Sequence, residues 1–133
     1  MPSVSLSLDW QGDLRFSNSD GSPSIQLDSN DPAVSSPPQA LAYATMACMA
    51  MDVVHVLKKG RHDLKALKVV FEGQRAEEHP RRFVAMHLRF EITGNPPDEA
   101  VARAIQLSHE KYCSVSNSIR TDIDFKTSFT VSR

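Results

Sequence analysis

Two cysteines, Cys48 and Cys113, are the strongest nucleophiles in this 133-residue sequence, and they stand 65 positions apart. Cys48 lies in the apolar stretch YATMACMAMDVVHV, where Thr45, Cys48, Asp52 and His55 recur at spacings of three and four. On a helix that spacing gathers them into one polar stripe. A lone cysteine in such surroundings is most simply a small buried hydrophobe. The sharper reading makes Cys48 a redox thiol. A mid-helix place is remote from the positive helix N-terminus, so a basic partner from elsewhere would have to lower its pKa. Cys113, in HEKYCSVSNSIR, ends one helical segment and precedes a second short one, whose free N–H groups would favour a thiolate. Burial at a helix junction is the equal alternative. Whether the sulfurs meet is a question of space, since a disulfide requires Cα atoms within about 7 Å.

Other chemistry finds less support. His109 and Cys113 are four apart, Cys48 and His55 seven apart, and two such half-sites could converge on a metal. No CxxC, HExxH or acidic partner pattern accompanies them, so no metal is expected. Five glycines in all offer no phosphate-cradling loop, and no cofactor is expected. His62 and His79 read as solvated surface residues.

The elements that must position the cysteines follow from periodicity. Val4, Leu6, Leu8 and Trp10 alternate with polar residues, which predicts a strand with one buried face. Turns at QGD and NSDGSP then make a small antiparallel meander with LRFSN and SIQLD. Ser36 is a candidate N-cap for a helix over 38–59, stopped at Gly60, with Lys58, Lys59 and Arg61 at its negative pole. Leu41, Tyr43, Met46, Met49, Met51, Val53, Val54, Val56 and Leu57 leave this helix no clear polar face. Such a helix belongs inside something, and a partner subunit is the expected cover.

LKALKVVFEGQR and RFVAMHLRFEITG read as two long strands. In the second, Val84, Met86, Leu88, Phe90 and Ile92 oppose His87, Arg89 and Glu91. A second helix begins at NPPDEA and runs to about Tyr112, and a last strand carries Ile123, Phe125, Thr127, Phe129 and Val131 on one face. The order predicts an antiparallel α+β fold, not a doubly wound sheet.

Composition sets the frame. With 41% hydrophobic and 23% charged residues, 15 basic against 16 acidic, the chain reads as one globular domain over 1–133. That balance gives no footprint for nucleic acid or an anionic membrane. MPSVSLSLDWQG has neither a basic nor an apolar leader region, and the apolar run 40–51 is short for a bilayer that takes roughly 20 residues to cross. A cytoplasmic address is expected, with both thiols reduced at rest and any disulfide transient.

Two segments carry a family likeness. SPPQALAYATMACMAMDVVHVLKKGR resembles the central helix of the OsmC/Ohr family, and AVARAIQLSHEKYCSVSNSI resembles its second cysteine segment. The DVV…LxKGR and EKYCSV patterns are closest to its OsmC-like branch. The resemblance implies an intertwined homodimer with the long helices buried at its centre. It also implies a peroxidase acting on organic hydroperoxides, with Cys48 as the attacking thiolate, Cys113 as the resolving thiol and a lipoyl-type dithiol as reductant. Met46, Met49 and Met51 become candidates to line an apolar site. By the same resemblance Arg15 stands in the region of the family's thiolate-supporting arginine. Pro38 and Gln39 hold the place of its glutamate, and the nine residues from Gln39 to Cys48 set those two on opposite faces of a straight helix. Ser114 follows the second cysteine where the peroxidases often have proline. The alternative on the same scaffold is a non-catalytic dimer binding a small ligand in an apolar interface pocket.

Overall fold

Alternation in VAMHLRFEI places Met86, Leu88, Phe90 and Ile92 on one face of a strand, and all four are buried. They form the centre of the larger of two sheets in the computed structural model, which describes all of residues 1–133. The chain divides into two compact units, Met1–Tyr43 and Ala44–Arg133. The architecture is α+β, with two three-stranded sheets and one long helix.

The first unit holds β1 (Asp9–Trp10), β2 (Arg15–Ser17) and β3 (Gln26–Asp28), an antiparallel meander. The alternating segment from Val4 extends as a strand only over its last two residues. Val4, Leu6, Leu8 and Trp10 are exposed, contrary to the buried face that their pattern predicts. Period-two patterning describes a face that wants cover, and this chain supplies none.

Helix α1 (Pro37–Lys59) starts in the first unit and continues through the second. Its start is a reciprocal capping box: the Gln39 amide N–H donates to Ser36 Oγ (3.3 Å), and the Ser36 N–H donates to Gln39 Oε1 (3.0 Å). Its end differs in detail from the expected glycine stop. The left-handed residue is Arg61 (φ 61°), and the His62 and Arg61 N–H groups close back on the Leu57 and Lys58 carbonyls. That is a Schellman motif, one residue later than Gly60. Gly60 serves by its smallness, because a Cβ there would lie 2.9 Å from the His62 ring. By length and composition α1 is sufficient for a membrane span, although the run 40–51 alone is too short for one. What it does instead is carry Met49, Val53 and Leu57 into a protein core.

In the second unit, β4 (Leu64–Arg75) pairs antiparallel with β5 (Phe83–Gly94), with Val69 opposite Phe90 and Phe71 opposite Leu88. Strand β6 (Asp124–Ser132) joins the other edge of β5 in parallel, so this sheet is mixed where antiparallel pairing was expected. The cause is the connection: α2 (Asp98–Leu107) lies between β5 and β6 and returns the chain to run alongside β5. The core comprises Met49, Val53 and Leu57 of α1, the inner face of β5, Val101, Ala104 and Ile105 of α2, and Cys113.

Candidate active site

Helix α2 does not run on to Tyr112 as its sequence suggests. It widens at Ser108–Tyr112 into a π-helical turn, closed by the Cys113 N–H on the Ser108 carbonyl at 2.7 Å. Cys113 leaves that turn extended and is completely buried, and a single 3₁₀ turn, Ser116–Ser118, follows. Asn117 ties the two together, its side-chain amide donating to the carbonyls of His109 (2.9 Å) and Cys113 (2.8 Å). The loop around the second cysteine is therefore held by its own hydrogen bonds.

Opposite it stands α1. The predicted polar stripe divides by depth: Thr45 is buried, Cys48 and Asp52 are half-buried, and His55 is exposed. The middle pair reaches the second cysteine. The Cys48 sulfur, the Cys113 sulfur and an Asp52 carboxylate oxygen all lie within 4.8 Å of one another. Both cysteines are free thiols. Ser108 Oγ donates to Asp52 Oδ2 at 2.8 Å, which fixes the carboxylate beside the sulfurs. Neither His55 nor His109, each considered as half of a metal site with a cysteine, belongs to this cluster; the His109 ring stacks on Phe125 at 4.5 Å.

The two thiols are electrostatically unlike. Burial pushes the Cys48 thiol up, but the Val115 backbone N–H, the Cys113 thiol and the Ser114 hydroxyl together outweigh it and leave Cys48 below its ordinary value. Asp52 opposes them. Ser114 Oγ stands 4.0 Å from the Cys48 sulfur. For Cys113 burial wins, and its thiol is raised although the Ser116 N–H donates to its sulfur at 3.2 Å. Successive N–H groups, of Val115 and Ser116, thus serve different sulfurs. By sequence alone the turn favours Cys113, and Cys48 needs a basic partner. In the fold a backbone amide from the turn supplies what that partner would have supplied.

Ser108, Ser114 and Val115 do not stand out in the sequence as site residues. Ser114 and Val115 have only their nearness to Cys113 on the chain as a signal, and Ser108, five residues before it, has none. The expected apolar lining is also corrected: Met49 belongs wholly to the core, Met46 is half-buried and Met51 is exposed. Residues 46 and 49, three apart, share one side of α1, and Met51 points to the other.

Arg15 and Gln39 lie in the first unit. The Arg15 guanidinium donates to Asp28 Oδ2 (3.1 Å) and to Asp31 Oδ2. Bonds to Asp28 and then Asp31 raise it above its ordinary value. Gln39 is engaged in the α1 capping box.

A mixed sheet, a long helix bearing one cysteine and a second cysteine brought up beneath it define a class of two-thiol α+β proteins. The model of the OsmC-like protein family matches residues 30–128, and this chain belongs to that family. Protein YhfA of Escherichia coli is 41% identical over 97 residues, 72% of each chain. A hypothetical protein from Aquifex aeolicus superposes with a TM-score of 0.90 at 26% identity, covering 99% of this chain and 98% of that one. An organic hydroperoxide resistance protein OsmC from Legionella pneumophila shares the fold at a TM-score of 0.74 and 23% identity, over 98% of this chain and all of that one (100%).

Proposed function

We propose that this chain is a thiol-dependent peroxidase that reduces organic hydroperoxides through a two-cysteine cycle. The observation that carries the reading is the meeting of two sulfurs from distant parts of the chain, one thiol lowered and the other raised. Family membership supports it, as does the shared fold of the Legionella organic hydroperoxide resistance protein.

Cys48 attacks as thiolate on the distal oxygen of the hydroperoxide. The O–O bond breaks, the alcohol leaves with a proton, and Cys48 becomes a sulfenic acid. Cys113 then attacks the Cys48 sulfur, water leaves, and a disulfide joins the two. An external dithiol of lipoyl type takes up the oxidising equivalents by exchange and restores both thiols. The division of labour suits the environments: the lowered thiol is half-buried and reachable, while the raised one is held dry until an electrophilic sulfur appears beside it. Arg15 and Gln39 are assigned supporting roles, and each already has partners that such a role would have to share. The working form is a homodimer in the cytoplasm, its two units acting as one domain. Leu41, Tyr43 and Met51 are apolar side chains of α1 left exposed in the single chain, as a partner-covered helix would leave them. The same exposed residues suit a dimer that merely binds a small apolar ligand.

Trapping separates the two readings. With Cys113→Ser, cumene hydroperoxide should yield a dimedone-reactive sulfenic acid at Cys48, stoichiometric with chain and formed as fast as the parent forms its disulfide. A variant that traps no adduct, with Cys48 remaining alkylatable, assigns the scaffold to ligand binding.

A further inference from the structure

The sequence patterns that usually signal a metal are absent, yet folding assembles a donor set that none of them describes. Two sulfurs and one carboxylate oxygen, from Cys48, Cys113 and Asp52, share a space no more than 4.8 Å across. A tetrahedral zinc ion holds thiolates at about 2.3 Å, which sets two bound sulfurs roughly 3.8 Å apart, with a carboxylate oxygen at about 2.0–2.2 Å from the metal. The observed spread, within 4.8 Å, exceeds that bound spacing by only about 1 Å.

Three further features favour an ion over a chance cluster. Ser108 Oγ, itself wholly buried, donates to Asp52 Oδ2 at 2.8 Å and leaves the other carboxylate oxygen free to ligate, the arrangement by which an outer hydrogen bond orients a metal ligand. Cys48 and Asp52 are four residues apart on one face of α1, and Cys113 is braced by the Ser116 N–H, so the donors sit on rigid elements. Cys48 and Asp52 are also half-buried, so both remain in reach of solvent.

We infer that the reduced protein binds one soft divalent cation of the zinc class through Cys48, Cys113 and Asp52, with solvent in the fourth place. Two thiolates select such a cation over magnesium or calcium. Binding requires only that the thiols be reduced, so it stands apart from the peroxidase reading. If that reading also holds, the ion occupies the sulfur lone pairs that would attack peroxide and shields the dithiol from oxidation until it is removed.

The test uses full-length protein, reduced and stripped with chelator under anaerobic conditions, then titrated with Co²⁺ and separately with Zn²⁺ against a chromophoric zinc indicator. The expected result is one ion per chain, with the intense visible bands of tetrahedral cobalt and a thiolate charge-transfer band, both abolished by equimolar Zn²⁺. Cys48→Ser and Cys113→Ser should each diminish the charge-transfer band and the zinc affinity. Asp52→Asn, which keeps both thiols, should weaken zinc by more than the roughly 10–100-fold that loss of an outer-shell partner costs. His109→Gln should bind as the parent does. Only the weak spectrum of six-coordinate cobalt in the parent would overturn the site, whatever the variants do. Unchanged zinc affinity in folded Asp52→Asn would equally overturn it, leaving a bare dithiol chelate. Neither readout depends on peroxide turnover, so each claim can fail alone.

Discussion

At Cys48 the sign of every neighbour is fixed by what it offers a thiolate. The Val115 N–H and the Ser114 hydroxyl stabilise the charge, whereas the Asp52 carboxylate opposes it. If thiolate is the reacting form, the rate of Cys48 oxidation rises with pH through the Cys48 pKa. In chelator-containing buffer, stopped-flow profiles should therefore place the parent's midpoint below that of the same cysteine in the urea-unfolded chain. Ser114→Ala should move the midpoint up, and Asp52→Asn should move it down, because a negative neighbour has been removed. An upward move for Asp52→Asn would instead mark Asp52 as the acceptor of the thiol proton. These assignments were only partly legible in the sequence. The stripe Cys48–Asp52 follows from helical spacing, but the contribution of Val115 is a backbone group delivered by a tertiary contact, and no side-chain pattern announces it. The exposure of His55 was equally hidden, since spacing gives a shared face and not a depth.

At the scale of elements, local rules that close on themselves were readable. The Ser36 N-cap is set by near neighbours and the strand β5 by unbroken alternation, and both match their sequence signals. The π-helical turn and the parallel placement of β6 depend on what α2 packs against, and they do not. Ser36→Ala should cost about 1 kcal/mol in urea denaturation, the usual worth of an N-cap side chain. A harsher change is Gly94→Ala. Gly94 ends β5 at φ 143°, and a Cβ there would stand 2.2 Å from the Asp63 carbonyl oxygen. The strand must move or the turn must open, at a cost of about 2 kcal/mol or more. The same denaturation experiment reads it, and a loss no larger than that of Ser36→Ala would show that the close approach relaxes freely.

For the whole molecule, association is indicated by what the single chain leaves uncovered. On α1 the buried stripe of Thr45, Met49, Val53 and Leu57 is satisfied, while Leu41, Tyr43 and Met51 remain in solvent. Lone exposed apolar residues are ordinary. A helix with hardly any polar face is not, and a second copy is its simplest cover. Sedimentation equilibrium should return twice the 14.8 kDa chain mass. Met51→Asp should shift the equilibrium toward the single chain, and a parent that sediments as a monomer at all concentrations would rule the homodimer out.

That Cys48 and Cys113 act as one redox unit is the central claim, and its most direct measurement is a timed count of thiols. Reduced protein is mixed with one equivalent of cumene hydroperoxide, quenched with alkylating agent at intervals, and weighed as intact chain. Acting as one unit, both thiols vanish together, faster than in the urea-unfolded chain, with the mass falling by that of the two thiol hydrogens. Slow loss at the unfolded rate, or stable oxidation of one cysteine while the other still alkylates, would contradict the claim.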